Sequence, residues 1–131
     1  MTQQPAAQPY FDVKNQLDRI VPYLIKGEKL AAVLDCKGGG TGFIGLTDRR
    51  IIFYDQNGVL TKTKSMVSIP YNQIIGVSSE DEGTIFKSSD ITLMTAAGKF
   101  TFQFRGGDKA HMAYHYIMNQ ILTQANPQLP G

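Results

Sequence analysis

One cysteine and no tryptophan occur in 131 residues. Cys36 alone closes no intramolecular disulfide, so the fold rests on packing and hydrogen bonds, and a single thiol fits a reducing compartment. Charge of one sign is not in surplus. Lys and Arg number 13 against 11 Asp and Glu, a net charge of +2. That balance gives no electrostatic footprint for nucleic acid, and aromatic and basic residues are not interleaved along a strand as single-strand binding requires. No apolar run approaches the ~20 residues that span a bilayer. The first residues, rich in Gln and Pro, carry neither the basic nor the apolar stretch of a secretory signal. A cytoplasmic location is expected, with peripheral contact at the inner membrane face left open.

What is present suits one folded domain. Hydrophobic residues make up 42% of the chain and charged residues 18%, enough to bury a core at this length. Val13, Leu17, Ile20 and Leu24 recur at helical spacing, with Asp12 as the expected N-cap. Pro22 predicts that this helix ends near Ile20, followed by a turn up to Gly27. From Lys29 onward the period shortens to that of strands. Segments Lys29–Lys37, Phe43–Thr47, Arg50–Tyr54, Ser65–Ile69, Ile74–Ser79, Ile91–Thr95 and Phe100–Arg105 alternate with turn signals such as Asp48-Arg49 and Asn57-Gly58. The acidic stretch Glu80-Asp81-Glu82-Gly83 reads as a loop. Phe100, Phe102 and Phe104 point one face of the last strand into a core. After Gly106-Gly107, Asp108 caps an amphipathic helix whose stripe is Ala110, Ala113, Tyr114, Ile117 and Ile121. It stops near Ala125, ahead of Pro127. About seven short strands followed by a helix predict a small barrel or orthogonal sandwich, with the helix plugging an open end.

The stretches Gly27-Glu28, then Gly45-Leu46-Thr47-Asp48-Arg49-Arg50-Ile51-Ile52-Phe53-Tyr54 through Gly58, then Ser68-Ile69-Pro70-Tyr71-Asn72-Gln73-Ile74, resemble the bacterial pleckstrin-homology-like (PH-like) domains and the related GRAM-type domains. The resemblance covers roughly residues 27–125. It implies a mostly β fold with α: a PH-like, seven-stranded, two-sheet barrel capped by a C-terminal helix, here with a short N-terminal helix in front. The expected division is a flexible tail over 1–10, a helical segment over 11–26, the PH-like domain over 27–125 and a second tail over 126–131. The resemblance also implies a binding or assembly module without catalytic residues or cofactor. Some bacterial PH-like families form closed rings, which makes a homo-oligomer the expected state.

The chemistry-bearing residues point the same way. Gly38-Gly39-Gly40-Thr41-Gly42 lacks the Gly-Lys-Ser/Thr ending of a phosphate loop and enters no helix, so it reads as a rim loop. His111 and His115 stand four residues apart on the last helix, a metal-ligand spacing, but no third histidine exists and no glutamate lies between them. They read as solvent-facing or interface residues, and no metal site is expected. Cys36 has no local signature of a nucleophile and reads as a structural thiol. Arg49 and Arg50 straddle a hairpin turn. Asp48 is expected to hold turn amides, and one arginine either pairs with a carboxylate or packs its stem on the sheet.

Two surfaces are candidates for binding. Lys37, Lys62, Lys64 and Lys99 lie in or beside three loops that the resemblance gathers at one open end. They either form a weak site for anionic lipid or keep the loops in water. The last helix carries more apolar surface than one face needs, with Met118 and Leu122 on one flank and Met112 and Tyr116 on the other. One flank is therefore expected to be covered by the N-terminal helix or by another subunit, unless these residues only widen the core contact. The leading expectation is a non-catalytic module acting through protein contacts as a homo-oligomer; the alternative is a peripheral membrane module.

Overall fold

A computed structural model of the chain describes residues 8–36, 41–55, 64–82, 88–105 and 108–125. The described elements run β1 (Tyr10–Phe11), α1 (Lys14–Ile20), β2 (Leu30–Asp35), β3 (Thr41–Thr47), β4 (Arg50–Asp55), β5 (Ser65–Pro70), β6 (Ile74–Glu82), β7 (Ser88–Thr95), β8 (Gly98–Arg105) and α2 (Lys109–Ala125). Strands β1-β2-β3-β4-β5 form one sheet in that order, and β6-β7-β8 form the other. All neighbours are antiparallel except β1, which lies parallel to β2.

Strand alternation builds the core. Leu34, Ile44, Phe53 and Val67 stand in register across β2 to β5, facing the second sheet. Phe102 of β8 meets Phe53 edge-on with ring centroids 5.1 Å apart, a favoured aromatic geometry. Ala110, Ala113 and Ile117 of α2 are buried against this same core. At one corner Cys36 bridges to Phe104. At another, a 3₁₀ turn over Tyr71–Gln73 carries the chain from β5 into β6. The two sheets form a sandwich rather than a closed barrel.

The five-stranded sheet is covered on its outer face as well. Leu17 and Ile20 of α1 bury Val33, Phe43 and Ile52 in a second, separate cluster. This explains why adjacent residues Val33 and Leu34 are both buried. Gly45 makes the approach possible: a Cβ there would fall 2.6 Å from Cδ1 of Ile20.

The expected PH-like architecture is the observed one, and several details differ. Tyr10, expected in a tail, is in β1, which a two-residue span hides from any periodicity. Val13 rather than Asp12 caps α1, without a side-chain hydrogen bond; the Asp12 carboxylate is engaged elsewhere. The α-helix ends at Ile20 as expected, but Val21 keeps right-handed helical angles and a 3₁₀ turn runs over Val21–Tyr23. Pro22 sits at its start, where no backbone donor is needed. Glu80, Asp81 and Glu82 belong to β6, paired with Asp90, Ser89 and Ser88, and not to a loop. Finally, α1 packs its buried side on the far face of the sheet, so it is not the cover of the α2 flank.

Candidate functional site

Of the four candidate lysines, Lys64 and Lys99 are exposed, at the entry to β5 and early in β8; Lys37 and Lys62 lie outside the described residues, as do Gly38 to Gly40 and Asn57-Gly58. His111 and His115 are exposed on α2, their rings edge-to-face with centroids 4.4 Å apart. Among the described residues no group of three or more His, Cys, Asp or Glu could hold a metal ion. No helix there is long and apolar enough to cross a membrane.

The α2 flank is better defined. Met112 and Leu122 are half exposed, at 50% and 55%, while Tyr116 and Met118 are partly buried. Beside Met112 and Tyr116 runs an apolar groove of about 200 Å³ whose other wall includes Tyr10, Ala31, Leu34 and Leu46. Thus β1, through Tyr10, borders the flank that α1 leaves open. A second cleft of about 370 Å³ separates the Tyr71–Gln73 turn from Ile121, Gln124 and Ala125 at the end of α2. The 17 residues of α2 carry one charged side chain, Lys109, and its ammonium is held 2.8 Å from Asp12.

Two polar clusters stand out, and the first is built from motif residues. Glu28, its side chain fully shielded from solvent, accepts both Nε and a terminal N of Arg50 at 2.9 and 2.8 Å. It also accepts the Thr47 hydroxyl at 2.7 Å and the Ile25 amide at 2.9 Å. Burial alone would raise this carboxyl, but the Arg50, Ile25 and Thr47 hydrogen bonds outweigh it and bring the pKa down to about 2. Arg50 also donates to the Tyr23 carbonyl and the Ser68 hydroxyl. The hydroxyl of Thr47 accepts the amides of Arg49 and Arg50, the task expected of Asp48, and Asp48 instead accepts the Lys29 amide. Tyr71 donates to the Thr47 carbonyl at 2.6 Å, and burial pushes its phenol upward.

The second cluster joins the N-terminal segment to α2. Asp12 accepts the Asp35 amide at 2.9 Å, the Lys109 ammonium at 2.8 Å and the Tyr10 hydroxyl at 2.8 Å. Burial opposes ionisation, yet these donors hold the Asp12 carboxyl below its ordinary range. Asp35 pairs with Arg105 and accepts from Gln16. The Ala110 amide, at the start of α2, is received by the Ser89 hydroxyl. The Glu28 carboxylate thus accepts four hydrogen bonds and the Asp12 carboxylate three. Cys36 is buried within the core. No sequence pattern marks Asp12 and Lys109 as partners, because 97 positions separate them; only the parallel placement of β1 brings them together.

The model of the bacterial PH domain family matches residues 7–121. The chain belongs to that family. Among curated proteins it is similar to the uncharacterized protein YozO of Bacillus subtilis, 27% identical over 96 residues, covering 72% of this chain and 81% of YozO. Among solved structures it is similar to a pleckstrin homology domain from Shewanella amazonensis, with 24% identity and a TM-score of 0.59 over 85% of this chain and 99% of that one. A pleckstrin-homology-domain protein from Shewanella loihica gives 20% identity and a TM-score of 0.62 over 84% and 93%. At such identities the structures share the fold. In this bacterial PH domain, four residues from the stretches that carry the resemblance, Glu28, Thr47, Arg50 and Tyr71, are joined by hydrogen bonds into a latch at the start of β2.

Proposed function

We propose that this PH domain is a non-catalytic, cytoplasmic module that acts through protein contacts and self-associates through α2. One observation carries the reading: the exposed side of α2 is nearly devoid of charge, with His111, His115 and Asn119 set among the apolar Met112 and Leu122. Met112 and Leu122 project from it, an apolar groove runs alongside, and Lys109 is already neutralised by Asp12. Charged residues are depleted from the centres of protein interfaces because burying them is costly. A second copy of this face meets that condition on both sides. Tyr116 and Met118 widen the patch from within.

Size-exclusion chromatography with light scattering tests the proposal. The full chain is expected to elute at a multiple of 14.5 kDa, and Met112→Glu with Leu122→Glu is expected to return it to the monomer with circular dichroism unchanged. A 14.5 kDa monomer at high concentration overturns it.

A further inference from the structure

A different surface carries a further inference, independent of self-association. Val21, Tyr23 and Ile25 are 50%, 54% and 61% exposed within five residues of the α1–β2 connection. They lie on a connection pinned by backbone hydrogen bonds. The Ile25 carbonyl accepts the Glu28 amide at 2.9 Å, closing a turn in which Gly27 takes φ +85°, a conformation suited to glycine. The Ile25 amide in turn donates to the Glu28 carboxylate, and Arg50 donates to the Tyr23 carbonyl. The tips are thus fixed before any partner arrives, which lowers the ordering cost of docking.

Cations frame these tips. Lys26 and Lys29 are exposed. Arg49 is also exposed and places a guanidinium nitrogen 3.8 Å from where a Cβ of Gly27 would lie. Of the nearby carboxylates, Glu28 is neutralised by Arg50 and Asp48 accepts the Lys29 amide, which leaves three cations against one acidic charge. Apolar tips at least half exposed have no matching wall, so they fit a fluid interface better than a shaped pocket. Basic side chains beside them are complementary to anionic headgroups.

We propose that the α1–β2 turn docks on an anionic lipid surface, with Val21, Tyr23 and Ile25 entering the headgroup boundary and Lys26, Lys29 and Arg49 meeting lipid phosphates. This site is distinct from the loop lysines. Arg50 pairs with Pro70 at one end of β4, whereas Asp55 pairs with Ser65, next to Lys64, at the other, roughly 17 Å along the strand.

The chain has no tryptophan, so Tyr23→Trp supplies a single reporter. The full-length Tyr23→Trp protein is titrated with phosphatidylcholine vesicles, with and without about one third phosphatidylglycerol, and co-sedimentation is measured in parallel. Binding and a blue shift of the emission are expected with phosphatidylglycerol only. In the same background, Lys26→Glu with Lys29→Glu lowers the affinity by at least about tenfold. Ile25→Ser lowers it several-fold, and Lys64→Glu with Lys99→Glu leaves it within about twofold. Circular dichroism checks each variant's fold, and α2 is untouched throughout. Absence of binding to phosphatidylglycerol vesicles overturns the proposal. So does binding without a blue shift, or an equal loss in the Lys64/Lys99 variant, which moves lipid contact to the opposite end. Capture of a protein partner by this turn without vesicle binding also overturns it.

Discussion

Glu28 and Asp12 both fasten the N-terminal segment to the sandwich, one just beyond α1 and one just before it. The difference lies in burial and in the number of donors. The Glu28 side chain has no solvent exposure and takes two bonds from a single guanidinium, plus a hydroxyl and an amide. The Asp12 side chain keeps 11% exposure and faces a lysine that keeps 21%. A guanidinium fork fixes a carboxylate in direction as well as in charge, whereas an ammonium acts as a point charge. Glu28 therefore specifies how β2 leaves the turn and where β3 turns back. Asp12 specifies only that β1 and α2 stay beside β2.

Removing Glu28 is expected to break the comparison most severely. Glu28→Ala leaves Arg50 largely buried without its counter-charge, a change that costs about 3–5 kcal/mol in such settings, readable as a lower midpoint in urea unfolding. Acid should act on the same contact. The folded carboxyl titrates at about 2 against an ordinary 4.5, so its contribution is complete above about 4.5 and disappears as the pH falls through about 2. Unfolding free energy measured between those limits should decline more steeply in the native chain than in Glu28→Gln. Equal slopes would mean that the latch is not electrostatic.

Between the two carboxylates, α1 rests on Gly45. Gly45→Ala should cost about 1–3 kcal/mol through overpacking, because its Cβ would meet Cδ1 of buried Ile20 at 2.6 Å. Ile20→Val deletes that atom. In the Ile20→Val background the alanine should therefore cost less, and a double-mutant cycle in urea reports the coupling. Additive costs would show that α1 is held by its ends alone, which would raise the importance of Asp12.

Asp12→Asn is expected to cost less than either, about 1 kcal/mol, since one partly exposed ion pair and charge-assisted bonds are weakened while the amide still accepts. The folded Asp12 carboxyl lies below its ordinary 3.8, so the penalty is fully present above that value and fades as acid protonates the native chain. Chemical denaturation of the pair at neutral pH and below pH 3.8 measures it.

Much of this arrangement was legible in the residues. The alternation of Phe100, Phe102 and Phe104 marked β8, and the stripe of Ala110, Ala113 and Ile117 marked α2, because both periods extend over enough residues to stand out. The turn at Asp48-Arg49 and the end of α1 before Pro22 were legible from local chemistry. Which of Arg49 and Arg50 pairs and which packs is not legible, since nothing within their own hairpin names Glu28 as the partner. Strand β1 was not legible: a two-residue strand has no period, and its pairing with β2 is decided by tertiary contact. The acidic end of β6 was misread because Glu80, Asp81 and Glu82 resemble a loop in composition, while their register against β7 is set by the apolar residues further back. Of the α2 flank, the apolar surplus was visible, but its groove depends on Tyr10, which only that unforeseen strand supplies.

The smallest effect is expected on the exposed face of α1. Lys14 and Asp18 stand at i and i+4 on α1, 2.7 Å apart, with side chains 67% and 56% exposed. Their separation is no greater than the 2.8 Å between Arg50 and Glu28. Distance alone would rank the two pairs together. Solvent screening and the entropy of two free side chains reduce an exposed pair to a few tenths of a kcal/mol, and here lysine precedes aspartate, the less favourable order along a helix dipole. Lys14→Ala should therefore shift stability by no more than about 0.5 kcal/mol, within the scatter of a urea titration. A loss comparable to that of Asp12→Asn would show that α1 depends on its exposed face, and that burial is not what separates the strong fastening at Glu28 from the weak ones around it.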